Sequence, residues 1–217
     1  MNDYHTLKNK SYRPRWLAGL ICGATKTHRV VVITGPRQVG KSTLLLQEPS
    51  LKKWKYLSFD DFALVSQAEK EPRSLWQDAD YIILDEVQKV PTLLSVIKQE
   101  VDSKKSKKRF ILSGSANLLL MSQLSESLAG RAVFFALRPF SMGEMKDSSP
   151  PIILKRLLSE FKPVLKSYQG GNPPNHNSKI LSKDALFKQM IKGFMPPLAG
   201  TNSLRTVLQW YEGYIAT

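Results

Sequence analysis

Residues 35–43 have the types and spacing that phosphate binding requires. The letters GPRQVGKS fit the pattern G-x-x-x-x-G-K-[ST] at every fixed position, between a β-branched run, RVVVIT, and a helix-forming segment, KSTLLLQ. Glycines let the backbone wrap closely around a phosphate while successive N–H groups point inward. We therefore predict that nucleotide phosphates contact Gly35, Pro36, Arg37, Gln38, Val39, Gly40, Lys41, Ser42 and Thr43.

Two side chains of this loop suit a nucleoside triphosphate bound with magnesium. Lys41 is predicted to reach the β- and γ-phosphates, and the Ser42 hydroxyl to ligate Mg²⁺. No N-K-x-D segment for reading a guanine base occurs in the chain, so GTP specificity is disfavoured. The order of the motifs, with Glu86, resembles the class of P-loop proteins that has an additional strand and a catalytic glutamate, and this resemblance implies ATP.

A pair of acidic residues follows the apolar run YIIL at 81–84. Asp85 is predicted to hold Mg²⁺, directly or through a water, and Glu86 to orient or deprotonate the attacking water. An acidic turn after a strand is common by itself. Together with the upstream loop it predicts magnesium-dependent ATP hydrolysis, with Lys41 and Glu86 as catalytic residues.

Polar residues also end the run at 109–113, in the letters SGSAN. In P-loop ATPases a polar residue at this strand tip contacts the γ-phosphate or the water. Ser113 is our catalytic candidate here, and Ser115 is the second. The alternative is that these side chains cap the following helix, and for Asn117 capping is the favoured reading.

Alternating strand and helix patterns must position these residues. Apolar runs predict strands at 29–34, 55–59, 81–84, 109–113 and 133–137. Helical patterns lie between them at 41–47, 62–77 with a break at Pro72, 93–101 after Thr92 as N-cap, and 117–129. This alternation predicts an α/β fold, a three-layer P-loop NTPase domain with a mainly parallel five-stranded sheet.

A change of composition after residue 145 predicts that the first domain ends there and that a linker follows. The letters KDSSPP at 146–151 indicate a linker, because proline continues neither a helix nor a central strand. We predict an ATPase-type domain at 1–145, a linker with a basic helix and a flexible loop at 146–180, and the beginning of a truncated helical domain at 181–217. The last helix, at 203–216, has an apolar stripe with nothing after it to cover it.

The charge balance bounds the partners. With 32 Lys and Arg against 18 Asp and Glu, the formal net charge is +14, which makes nucleic acid a candidate partner. The alternative is that the lysines only keep the surface hydrated. The basic run at 104–109 is predicted to be a solvated loop at the sheet edge opposite the phosphates. A single cysteine and no run of about 18 apolar residues predict a cytoplasmic protein without membrane contact.

The quoted motifs carry a family resemblance. VVITGPRQVGKSTLL, YLSFDD, YIILDEVQKVP, RFILSGSANLLL and LSESLAGRA resemble the prokaryotic AAA+-like ATPases that carry a C-terminal domain of unknown function. The resemblance covers residues 10–145, and KGFMPP resembles the opening of the C-terminal domain. It implies ATP binding at 35–43 and magnesium and catalysis at Asp85 and Glu86. Ser113 stands where the family often has threonine, and the C-terminal domain breaks off at Thr217.

Arg131, after Gly130 and before the fifth strand, has a position that matters in such proteins. In AAA+ proteins an arginine near this place reaches into a neighbour's site as a finger, which predicts a homo-oligomer. The alternative is an arginine placed at a helix C-terminus by the helix dipole. Arg138 competes for the finger role.

Three functions are compatible with these residues. The leading hypothesis is an ATPase whose turnover drives a conformational change in a C-terminal module. The alternative is a nucleotide-gated switch with little turnover, possessing the same site and holding ATP or ADP. A kinase is disfavoured, because no Arg-rich lid occurs and the acidic pair suits water as acceptor.

Overall fold

The computed structural model describes residues 12–115, 128–150 and 182–216. The chain divides into two compact units, Met1–Arg138 and Pro139–Thr217. The predicted basic helix at 152–166, Asn117 and all but the end of the predicted helix at 117–129 lie outside the described residues. The domain limits 1–145, 146–180 and 181–217 stay a prediction.

A parallel sheet forms the centre of the first unit. Its strand order is β2-β3-β4-β1-β5, and every pair of neighbours is parallel. The strands are β1 Val30–Thr34, β2 Lys55–Ser58, β3 Tyr81–Asp85, β4 Arg109–Ser113 and β5 Ala132–Ala136. The predicted α/β fold with five strands is confirmed, with strand ends within one residue of the predicted limits. The order places β4 between the strand of the phosphate loop and the strand of the acidic pair.

Helices connect the strands and cover the sheet. They are α1 Trp16–Thr27, α2 Lys41–Gln47, α3 Phe62–Lys70 and α4 Leu93–Asp102, with short 3₁₀ turns at Pro49–Leu51, Pro72–Trp76 and Val87–Lys89. All five residues of β1 are buried, as expected for a strand covered on both faces. Trp76 and Phe110 pack edge to face in the core, with ring centroids 5.3 Å apart.

One predicted cap is wrong. Thr92 has helical backbone angles and caps nothing with its side chain. The turn begins earlier, because Pro91 already accepts a bond from the amide of Leu94. The hydroxyl of Ser95 instead donates to the Thr92 carbonyl.

The second unit is helical in its described part. It contains α5 Met142–Met145, α6 Lys183–Ile191, a 3₁₀ turn at Pro196–Leu198 and α7 Leu204–Ile215. Ser182 and Ser203 cap α6 and α7 through their side chains. Of the apolar stripe predicted on the last helix, Val207 is buried, whereas Leu204, Leu208 and Ile215 are exposed.

Candidate nucleotide-binding site

The loop between β1 and α2 has the backbone form of an anion-binding nest. Positive φ angles recur at Gly35 (152°), Gln38 (60°) and Gly40 (93°). Alternation of this kind turns successive N–H groups toward one point. Gly35 is also required for space, because a Cβ there would lie 2.2 Å from the Leu137 carbonyl oxygen beyond β5.

Lys41 is folded back onto this loop. Its Nζ donates to the carbonyl oxygens of Gly35 at 3.0 Å and Pro36 at 2.9 Å. Burial lowers the pKa of Lys41, while the carboxylates of Glu86 and Asp85 act in the opposite direction. The ammonium group therefore lies within electrostatic range of both acidic residues.

The acidic pair is held by two side chains that bond to its carboxylates. Asp85 is 1% exposed, and its Oδ2 accepts a hydrogen bond of 2.6 Å from the Tyr56 hydroxyl on β2. Glu86 has left-handed backbone angles, φ 56° and ψ 40°, which are unfavourable for a residue with a Cβ. Its carboxylate accepts a hydrogen bond from the Gln88 amide.

Ser113 supplies a buried hydroxyl at the tip of β4. Its side chain is fully buried, and its Oγ has no hydrogen-bond partner among the described residues. The register pairs Leu112 with Leu84, so Ser113 is level with Asp85 on the neighbouring strand. An unbonded buried hydroxyl costs about 1–3 kcal/mol, which a bound ligand would offset.

The topology brings these groups to one edge of the sheet. β1, β3 and β4 are parallel, so their carboxyl ends carry the loop, the acidic pair and Ser113 at the same edge. The donor set fits Mg²⁺, which prefers a few protein oxygen ligands together with phosphate oxygens and waters. Asp85 and Ser42 would hold the ion. No group of three or more metal-binding side chains occurs within the described ranges.

The two arginine candidates lie at different edges. Arg131 precedes β5 at the opposite edge, where its Nε and Nη2 donate to the Asp102 carboxylate at 2.5 Å and 3.0 Å. These hydrogen bonds lower the pKa of Asp102. Arg138 is exposed and follows β5 at the edge of the phosphate loop. The structure thus keeps Arg131 away from its own chain's site, and the finger role stays a prediction.

The basic run at 104–109 is at the predicted edge but only partly solvated. Lys108 donates to the carbonyls of Trp76 and Ala79, each at 2.7 Å, and Arg109 donates to those of Thr25 and His28. The prediction of a solvated loop is wrong for these two residues, because their charges satisfy backbone oxygens at strand and helix ends. The exposed lysines of the run are Lys104, Lys105 and Lys107.

Sequence reasoning missed three residues around the site. Arg15 donates to the Val39 carbonyl of the phosphate loop at 2.8 Å. Tyr56 and Gln88 bond to the two acidic side chains. Gln88 stands two positions after Glu86, a spacing that could have indicated it. Arg15 and Tyr56 come from distant parts of the chain, and no local pattern marks them.

A parallel α/β sheet with a phosphate loop after β1 and an acidic pair after β3 defines a P-loop nucleotide-binding protein. The chain belongs to the AAA domain family, whose model matches residues 27–146. The resemblance to prokaryotic AAA-like P-loop proteins is thereby confirmed.

Two curated relatives are mycobacterial. The uncharacterized proteins Rv2008c of Mycobacterium tuberculosis and Mb2031c of Mycobacterium bovis are each 33% identical to the chain over 161 residues. The match covers 73% of this chain and 33% of each relative, so the chain spans about a third of their length.

Two solved structures are distantly similar. Saccharomyces cerevisiae RIF2 matches 75% of this chain and 65% of its own, at 12% identity and a TM-score of 0.39. C. elegans PCH-2 matches 92% of this chain and 65% of its own, at 14% identity and a TM-score of 0.38. In the part of the chain that the structure describes, no helix is long and apolar enough to cross a membrane.

Proposed function

We propose that the protein binds ATP with Mg²⁺ at the loop 35–43 and hydrolyses it, and that turnover is coupled to a conformational change in the C-terminal unit. The observation that carries the proposal is the meeting of Lys41, Asp85, Glu86 and Ser113 at one sheet edge, with the Ser113 hydroxyl buried and unbonded within the part of the chain that the structure describes. Mg²⁺, when bound, neutralises phosphate charge.

Each side chain has a role that its surroundings support. Lys41 exchanges its two loop carbonyls for phosphate oxygens, because a buried ammonium gains more from an anion than from neutral acceptors. Ser42 and Asp85 would hold the metal. Glu86 takes the proton of the attacking water, and Ser113 donates to the γ-phosphate or that water.

The start of α2, directly after the phosphate loop, has no side-chain cap. Gly40, the residue before α2, has no side chain that could cap the helix, and the first turn contains no acidic residue. The residues Pro36, Arg37 and Gln38 are exposed around the loop, while Val39 packs inside. Arrangements of this kind favour phosphate over water as the occupant.

The test is phosphate release from Mg·ATP together with ATP binding by calorimetry. Glu86→Gln should keep ATP affinity and lower turnover about 10²- to 10⁴-fold, because it removes the base alone. Lys41→Ala should weaken ATP binding about tenfold or more. Glu69→Gln, an exposed change on α3, is the matched control and should leave both quantities unchanged.

The results separate the ATPase from the nucleotide-gated switch. If the wild type binds ATP but releases no phosphate, the ATPase proposal is wrong and the nucleotide-gated switch is favoured. Equal turnover of wild type and Glu86→Gln would contradict the role of Glu86. No ATP binding by the wild type would contradict the site itself.

Nucleic acid is a second proposed partner, on the basis of the loop that exposes Lys104, Lys105 and Lys107 together. Adding duplex DNA to the ATPase assay tests it. Binding through phosphates should weaken steeply between about 50 and 200 mM salt. Replacing the three lysines with glutamine should reduce that slope. Salt-independent or undetectable binding would contradict a DNA surface there.

A further inference from the structure

A buried arginine lies outside the groups that the proposed chemistry uses. Arg15 is the residue before α1 and is 6% exposed. A guanidinium group is stable in such a place only when its N–H groups are hydrogen-bonded. Nη1 donates to the Val39 carbonyl at 2.8 Å, and Nη2 donates to the Arg138 carbonyl at 2.6 Å.

The two carbonyls belong to different segments of the chain. Val39 is part of the phosphate loop, immediately before Gly40. Arg138 is the last residue of the first compact unit, two positions after the end of β5. One planar, stiff group therefore bridges the phosphate loop and the segment from which the chain leaves the first unit.

A second contact anchors the same N-terminal segment. The Tyr12 hydroxyl donates to Glu48 Oε2 at 3.1 Å, and Glu48 follows the last residue of α2. Burial, with the Glu48 carboxylate adding to it, raises the pKa of Tyr12, so the phenol remains a donor at neutral pH. Residues 12–15 thus contact the chain before and after α2.

We propose that Arg15 is a positioning residue that fixes the phosphate loop against the exit of β5 and transmits a movement of the loop to Arg138. The first half stands on the two hydrogen bonds alone. The second half rests on the proposed nucleotide binding. When phosphate oxygens draw the loop N–H groups inward, the Val39 carbonyl shifts, and the guanidinium carries that shift to the Arg138 carbonyl.

The first arm of the test needs no nucleotide. Amide hydrogen exchange is measured by mass spectrometry on the full chain, in peptides that cover 35–41 and 136–142. Arg15→Met should raise exchange in both segments together, by at least about tenfold, because it removes charge-assisted bonds to both carbonyls. Arg205→Met, an exposed change on α7, should leave both unchanged.

Arg15→Lys keeps the test decisive if Arg15→Met does not fold. Lysine retains the charge and bonds one carbonyl well, but it lacks the fork that spans two. Exchange should then rise in one of the two segments only. Wild-type exchange rates in both segments of Arg15→Lys and of any folded Arg15→Met would overturn the positioning role.

The second arm adds Mg·ADP at saturation, with affinity measured separately by calorimetry. In the wild type, exchange should fall in both segments. In Arg15→Lys the loop should still be protected, while the response at 136–142 is lost at unchanged or slightly weakened affinity. A bound wild type with no response at 136–142 would overturn the transmission. No binding at all would overturn the proposed function and the transmission, whereas the first arm would still decide the positioning role.

Discussion

A substitution at Ser113 tests whether its hydroxyl stabilises the fold or contacts a ligand. The hydroxyl is fully buried, and removing it breaks no hydrogen bond among the residues that the structure describes. We expect Ser113→Ala to leave the free energy of unfolding unchanged or to raise it by up to about 3 kcal/mol, because the unbonded buried hydroxyl is removed. Turnover should fall about tenfold or more, since a donor to the transition state is lost. Chemical denaturation and phosphate release measure the two effects.

Ser74→Ala is the matched control for that prediction. The Ser74 hydroxyl donates to the Glu71 carbonyl at 2.6 Å, on the turn Pro72–Trp76. Its removal should lower the free energy of unfolding by about 0.5–1.5 kcal/mol and leave turnover unchanged. A loss of stability in Ser113→Ala with full turnover would contradict the ligand role of Ser113.

Lys41 makes ATP binding depend on pH. Burial lowers the pKa of Lys41 in the free protein, and phosphate charges should raise it in the complex. ATP affinity should therefore be full below the free-protein pKa and fall as the pH rises through it, by at most about tenfold per pH unit, with proton uptake on binding. Calorimetry in buffers of different ionisation enthalpy measures the uptake.

Lys41→Arg is the control for that pH dependence. Arginine keeps its charge over the whole range, so its ATP affinity, at whatever level, should lose the alkaline decline. An equal decline in Lys41→Arg and the wild type would assign the effect to another group.

At the scale of elements, sequence patterns predicted the strands and the sheet edge at which the site residues meet, because both depend on residues close together in the sequence. Apolar runs predicted the strands, and the parallel connections then required Asp85, Glu86 and Ser113 to meet the phosphate loop at one edge. The contacts of Arg15 and Tyr56 were not predictable. They join residues 24 and 29 positions apart in the sequence. Such contacts depend on tertiary packing, which the periodicity of apolar residues does not predict.

The junction of the phosphate loop with β5 should be intolerant of a single methyl group. A Cβ at Gly35 would approach the Leu137 carbonyl at 2.2 Å, and that oxygen belongs to backbone that cannot turn aside. Gly35→Ala should lower the free energy of unfolding by more than about 3 kcal/mol and abolish nucleotide binding. Denaturant titration and calorimetry measure both.

Gly130→Ala is the control that separates a steric clash of the added Cβ from the strain of a positive φ angle. Gly130 also has a positive φ, 70°, but nothing lies within 4 Å of its added Cβ. It should lose only about 1–2 kcal/mol, the cost of a left-handed residue with a side chain. Equal losses in the two variants would show that strain, and not the β5 backbone, restricts Gly35.

At the scale of the whole molecule, the open question is whether one chain completes its own site. Arg131 is paired with Asp102 at the edge opposite the phosphate loop, so it serves its own chain as an ion-pair partner. A finger role in a second copy would require Arg131 to leave Asp102. The ion-pair role requires Asp102, whereas the finger role requires Arg131 to be free of it. Substitutions at the two residues therefore distinguish the roles.

If Arg131 acts as a finger, Arg131→Ala should lower turnover about a thousandfold or more, while Asp102→Ala should retain it because the guanidinium is released. If Arg131 acts only through the ion pair, Arg131→Ala and Asp102→Ala should change turnover alike.

Mixing Arg131→Ala with Lys41→Ala tests the shared site in a second way. In the finger case each variant should release little phosphate alone at ATP concentrations that Lys41→Ala does not bind, but the Lys41→Ala copy can supply Arg131 to the intact phosphate loop of the other. Phosphate release that returns on mixing would establish the shared site, and none at any mixing ratio would confine Arg131 to its own chain.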